Sequence, residues 1–83
     1  MKDFSQRVLK IVSQIPVGQT RTYQAVARQA GRPRAYRAVG NILSRNYDSA
    51  IPCHRVIRSD GRLGGYNRGL AQKLAKLKQE GAI

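Results

Sequence analysis

Apolar positions at the start of the chain recur with helical spacing. Phe4, Val8, Ile11, Val12 and Ile15 share one face, and Lys2, Asp3, Arg7 and Lys10 interrupt them. This pattern predicts an amphipathic helix with Asp3 as its N-cap, Gln6 in capping-box register, and Pro16 and Gly18 as its stop. Thr22 can cap a second, shorter helix from Tyr23 to about Ala30, which turns Val26, Ala27 and Ala30 inward and ends at Gly31. After Gly31-Arg32-Pro33 the periodicity resumes from about Arg34 to Arg45, with Ala38, Val39, Ile42 and Leu43 on the buried side. Two short helices joined by a glycine-containing turn read as a helix-turn-helix.

Further on, Val56-Ile57-Arg58 and Arg62-Leu63 flank Asp60-Gly61, a dipeptide suited to a tight hairpin turn. A small β-hairpin is expected there, as a wing. The closing segment from Leu70 to Glu80 places Leu70, Leu74 and Leu77 on one face with lysines opposite, and stops at Gly81. The expected fold class is mainly α, a winged helix-turn-helix with a β-hairpin wing, in one domain over residues 1–83. Neither repeats nor low-complexity tracts nor an interdomain linker break it.

Charge narrows the choice of partner. Sixteen Lys and Arg against four Asp and Glu give a formal net charge of +12, spread from Lys2 to Lys78. A field of one sign on 83 residues destabilises the compact state unless an anion offsets it, and nucleic acid is the natural counter-charge. A ribosomal-type RNA binder or a merely soluble surface fits the same composition. Membrane association is not expected, because no segment joins a long apolar face to a basic one, and neither a signal-peptide core nor a transmembrane stretch is present. A single cysteine allows no internal disulfide, and no cluster has metal-ligand spacing. The reading is therefore of a cytoplasmic protein without cofactor or metal.

Candidate chemistry concentrates in Ile51-Pro52-Cys53-His54-Arg55-Val56, which places the only cysteine beside the only histidine. A thiol next to an imidazole is the minimal equipment for an activated sulfur nucleophile. The plainer alternatives are a small buried hydrophobe and a satisfied polar residue. Arg34, Tyr36, Arg37, Asn41 and Arg45 lie off the apolar face of the third helix and suit a nucleic-acid surface, with a solvated face as the alternative.

Thr22-Tyr23, Arg37-Ala38-Val39-Gly40, Asn46, Ile51 to Val56, Gly64-Gly65-Tyr66 and Leu70 together resemble the C-terminal domain of the O6-alkylguanine-DNA alkyltransferases. The likeness covers essentially the whole chain, and its IPCHRV run is highly specific. It implies a monomeric repair protein that enters the minor groove of double-stranded DNA, flips an O6-alkylguanine out of the stack, and moves the alkyl group irreversibly to Cys53. Flipping is required because the alkyl carbon is inaccessible inside the duplex.

By the same resemblance His54 acts through a water as the base that forms the thiolate, and Glu80 orients the imidazole. Arg37 enters the vacated stack. Tyr23 pushes the phosphate during rotation and assists the departing guanine. Asn46 is the hinge between recognition helix and active-site loop. Tyr66, the carbonyls of Cys53 and Val56, and the amide of Asn67 line the base pocket, with Arg68 at its rim.

The chain departs from the family in three ways. It starts where the second domain of larger members starts, so the zinc some carry in the first has no counterpart. The loop from Asn46 to Cys53 is one residue short, with Tyr47 in place of a frequent proline. Arg68 stands where many members have a glycine or another residue, which bears on the alkyl groups that fit. The alternative function is that of an alkyltransferase-like module, which keeps flip and pocket, replaces the cysteine, and marks lesions for another repair pathway.

Overall fold

The computed structural model describes residues 2–48, 50–60, 62–64 and 69–83. Its elements in order are α1 (Lys2–Ser13), β1 (Arg21–Thr22), α2 (Tyr23–Gln29), α3 (Tyr36–Ser44), a 3-10 turn (Cys53–Arg55), β2 (Val56–Ile57) and α4 (Leu70–Gln79). The fold is mainly helical, as the pattern predicts. Phe4, Val8 and Val12, one helical turn apart, bury the inner face of α1 against Val26 and Ala27 of α2 and Val39 of α3. Burial of each valine contributes about 1.5–3 kcal/mol. Helix α1 begins at Lys2, so Asp3 stands inside its first turn and not at the cap position.

Helix α2 starts as expected. Thr22 is extended at φ −83° and ψ 157°, and its hydroxyl accepts from the Ala25 amide at 3.0 Å. The helix ends by reversing hand at Gly31, whose φ is +92°. That residue lets the Arg32 amide reach the Ala27 carbonyl at 2.9 Å and its own amide reach Arg28 at 3.0 Å, which closes the last turn. Helix α3 starts at Tyr36, two residues later than the periodicity suggests. Pro33 and Arg34 occupy the centre of a turn closed by the Ala35 amide on the Arg32 carbonyl at 2.9 Å, so Arg34 precedes the helix.

Two expectations change more substantially. Val56–Ile57 is a strand, but its partner is β1, in parallel, with Arg21 opposite Val56 and Thr22 opposite Ile57. The expected return arm Arg62-Leu63 is not a strand. Among the described residues, one bond of the hairpin is present, from the Arg58 amide to the Arg62 carbonyl at 2.9 Å, around a turn in which the Asp60 carboxylate accepts from the Arg62 amide at 3.0 Å. Gly61 lies outside the described residues. Pairing with β1 anchors β2 over the core, where Val56 is fully buried.

On α4 the leucine face is buried only at its C-terminal end, and a lysine shares the buried position. Leu70 and Leu74 are exposed, whereas Lys73 and Leu77 are fully buried. Among the described residues no helix is long and apolar enough to cross a membrane.

Candidate active site

The 3-10 turn that opens β2 holds the candidate residues Cys53 and His54. The Cys53 amide donates to the Ile51 carbonyl at 2.8 Å and the Arg55 amide to the Pro52 carbonyl at 3.0 Å, a tight curl that points Cys53 and His54 inward. Each is only 7% exposed. The Asn46 side-chain amide, just past the end of α3, donates to the Cys53 sulfur at 3.1 Å. The connecting loop holds itself in place by side chains: Asn46 Oδ1 accepts from the Asp48 amide at 3.4 Å, and Asp48 Oδ1 from the Ala50 amide at 2.9 Å.

His54 Nε2 lies 2.8 Å from Glu80 Oε2. With the Nε2 proton directed at a carboxylate, the neutral ring presents Nδ1 as its acceptor. Glu80 is no frayed terminus. It caps α4, and Gly81, at φ +76°, lets the Ala82 amide bond the Leu77 carbonyl at 2.9 Å and its own amide bond Lys78 at 3.1 Å. The loop after α1 packs against it, since a side chain added at Gly18 would meet the Glu80 carbonyl at 3.3 Å. Arg55 grips the same carboxylate through Nε at 2.9 Å and Nη2 at 2.7 Å, and its Nη1 donates to the Ile15 carbonyl at 2.7 Å. Asn46, Cys53, His54, Arg55, Lys76 and Glu80 border a common cleft of about 540 Å³.

Tyr23, the first residue of α2, lies close enough to Cys53 to feel its charge. Its ring is bracketed by glycines: a side chain at Gly64, where φ is +74°, would meet the ring and hydroxyl at 3.0 Å, and one at Gly40 would touch it at 4.0 Å. Lys73 reaches over this ring from α4, 5.7 Å from the ring centre. Its Nζ donates to the Val56 carbonyl at 2.7 Å and lies 3.5 Å from the Tyr23 hydroxyl. One lone pair of the Val56 carbonyl, expected in the base pocket, is thus taken by Lys73.

Electrostatics follow from burial and these partners. Burial pushes the Tyr23 phenol up, with the nearby Cys53 adding to the rise and Arg58 opposing it. Burial lowers Lys73 to about 8, with Cys53 opposing the drop. Burial also lowers His54. Glu80 works against that fall, and Arg55 and Lys76 reinforce it. The Arg55 hydrogen bonds hold Glu80 at about 2.

A sequence profile of the 6-O-methylguanine DNA methyltransferase, DNA binding domain, matches residues 3–82. The chain belongs to that family. It is 53% identical over 79 residues to the methylated-DNA–protein-cysteine methyltransferase of Methanosarcina barkeri, covering 94% of this chain and 50% of the relative. Among solved structures, the Mycobacterium tuberculosis OGT in complex with DNA superposes with a TM-score of 0.89 at 47% identity, over 94% of this chain and 48% of that one. The S. pombe ATL in complex with DNA also reaches 0.89, at 30% identity, over 100% of this chain and 80% of that one. The chain spans about half the length of the methyltransferases it matches.

As a member of this family the chain places its remaining motif residues as follows. Tyr36, Arg37, Asn41 and Arg45 are all exposed, the first three on α3 and Arg45 at its C-cap, and Arg34 is exposed in the turn before it. Tyr66, Asn67 and Arg68 lie outside the described residues. Lys73 and Arg55 are the site residues that sequence reasoning passes over. Lysine is the residue type least expected inside. Spacing alone does not single it out, since Lys73 and Leu74, four and three positions before Leu77, share its side of the helix.

Glu80 also links the site to stability. Its carboxyl lies near 2 in the folded chain against an ordinary 4.5, so its ion pair stabilises fully above 4.5 and is lost as pH falls through 2. Thermal melts over this range should show the wild type losing stability progressively. Glu80→Gln should start lower at neutral pH and change less on acidification. Parallel curves for the two proteins would contradict the assignment.

Proposed function

We propose that this chain is a DNA repair methyltransferase that extrudes O6-alkylguanine from duplex DNA through the minor groove and transfers the alkyl group to its own Cys53, once per molecule. One observation carries this reading: a buried cysteine accepts a hydrogen bond from Asn46 and stands beside a histidine held by a carboxylate. Family membership and the DNA complexes of the relatives support it.

The chemistry is a displacement at the alkyl carbon. His54, through a water, takes the thiol proton, and the Asn46 amide and the Lys73 charge stabilise the sulfur anion. The new S–C bond forms as the C–O6 bond breaks, and the electron pair leaves with guanine. Tyr23 stands ready to assist that departure, and the Lys73 ammonium beside its hydroxyl favours the charge that develops there. Arg37 can stand in for the absent base as a planar cation. Asn46 joins α3 to the sulfur through one side chain, as a hinge would.

The protein acts as a monomer in the cytoplasm, on double-stranded DNA. From the family resemblance alone, we assign the base pocket to Tyr66, Asn67 and Arg68, which lie outside the described residues, together with the Val56 backbone. Incubation with a duplex carrying O6-methylguanine, followed by intact-protein mass measurement, tests this: one methyl on Cys53 is expected, and none would overturn transfer. Likeness over 80% of S. pombe ATL, at 30% identity, favours one other reading, a lesion-binding module without transfer. Binding with no mass gain would select it.

Two further results are expected. Lys73→Met removes the charge but nearly keeps the volume. It should slow transfer by about 10²-fold with little loss of melting temperature, because a buried cation is itself costly. An unchanged rate would remove Lys73 from the chemistry. Affinity for undamaged duplex should fall with salt at a log–log slope near −4 to −5 if about five phosphates are neutralised. A slope near zero would contradict the DNA interface.

A further inference from the structure

The Glu80 carboxylate has two oxygens and three donors. Arg55 Nε takes Oε1 at 2.9 Å, and Oε2 is shared between Arg55 Nη2 at 2.7 Å and His54 Nε2 at 2.8 Å. The guanidinium therefore meets the carboxylate as a fork, edge to edge, and its third direction is fixed by the Ile15 carbonyl at 2.7 Å. Both side chains are largely buried, 13% and 17% exposed. We propose that Arg55 is a positioning residue for the transfer reaction: its fork fixes the plane of the Glu80 carboxylate toward His54 and cancels the charge that the carboxylate presents to the imidazole. The inference rests on the proposed alkyl transfer to Cys53 and adds to it a residue that tunes the base.

Two consequences follow from this geometry. A carboxylate at a helix cap, left alone, rotates about its own side chain. Docked on a planar fork anchored just beyond α1, it offers one oxygen in one direction, so the imidazole keeps the tautomer that carries its proton on Nε2. An unpaired carboxylate would also stabilise the imidazolium and leave the base already protonated near neutral pH. Paired with Arg55 it stabilises far less. The charged groups facing His54 are Glu80 and Lys76 from the C-terminal turn of α4 and Arg55 from its own turn, with Cys53 adjoining, and two of the three charged ones are cations. The ring thus stays neutral and able to accept the thiol proton. Lysine in place of Arg55 would keep the charge and lose the fork.

The chain has a single histidine, so its ring protons give an unambiguous NMR titration in the free protein, without DNA. Wild type, Arg55→Lys and Arg55→Met would be titrated, and their single-turnover transfer rates on O6-methylguanine duplex measured against pH. Arg55→Met should raise the His54 midpoint by about half a pH unit or more and move the acid limb of transfer upward by the same amount. Arg55→Lys should keep the midpoint near that of wild type yet slow transfer about tenfold, the cost of losing orientation. A folded Arg55→Met with an unmoved midpoint overturns the proposal. So does Arg55→Lys with the wild-type rate, which decides the matter alone should the methionine variant not fold. Absence of transfer in the wild type would instead refute the reaction, and the titration would still report on Arg55.

Discussion

Replacing Cys53 by serine is expected to abolish alkyl transfer while leaving affinity for O6-methylguanine duplex within a few fold. The Cys53 sulfur accepts a hydrogen bond from Asn46 and the residue is 7% exposed, so its contribution to binding is small. A hydroxyl fits the same space and accepts the same bond. What it lacks is acidity, and only the anion attacks the alkyl carbon. Chemistry and binding should therefore separate in this variant, as a mass measurement and a band shift on the same duplex would record. Methyl uptake at the wild-type rate would place the acceptor elsewhere.

The second large effect is expected at His54, where alanine should slow transfer by about 10²-fold, the scale of a lost general base. The dependence on pH identifies the cause. Burial, reinforced by Arg55, holds the ring below its ordinary 6.5 against the pull of Glu80, so the neutral form predominates at neutral pH. Wild-type transfer should thus be flat near neutrality and fall only on acidification below 6.5, as the ring takes up a proton. His54→Ala should lose that limb as well as the rate. A profile of the same shape in both proteins would exclude the histidine as base.

Legibility of the fold from sequence varied with how local its causes are. Thr22 was readable as a cap and Gly31 as a stop because each acts on amides within a few residues. The start of α3 is less legible, because the turn at Pro33-Arg34 competes with the helix for the same residues. The partner of β2 was not readable at all: Asp60-Gly61 advertises a hairpin, but the ladder forms with β1, where core burial of Val56 outweighs turn preference. In the site, adjacency in sequence exposed Cys53 and His54, and the family resemblance supplied Glu80. Lys73 stayed hidden since its burial depends on a carbonyl and a phenol contributed by distant segments.

The parallel pairing of β1 with β2 also bears on how the chain acquires competence. Tyr23 directly follows one strand and Cys53 lies just ahead of the other, so the registered ladder brings the start of α2 and the Cys53 turn together. Parallel strands cannot be joined by a tight turn, and closing the intervening loop costs chain entropy before any contact repays it. The helix-turn-helix lies wholly within that loop and folds through near-neighbour contacts, which form early. Register between Tyr23 and the Cys53 turn is therefore set by the slowest kind of contact in the chain, whereas the helix pair between them depends on contacts close in sequence.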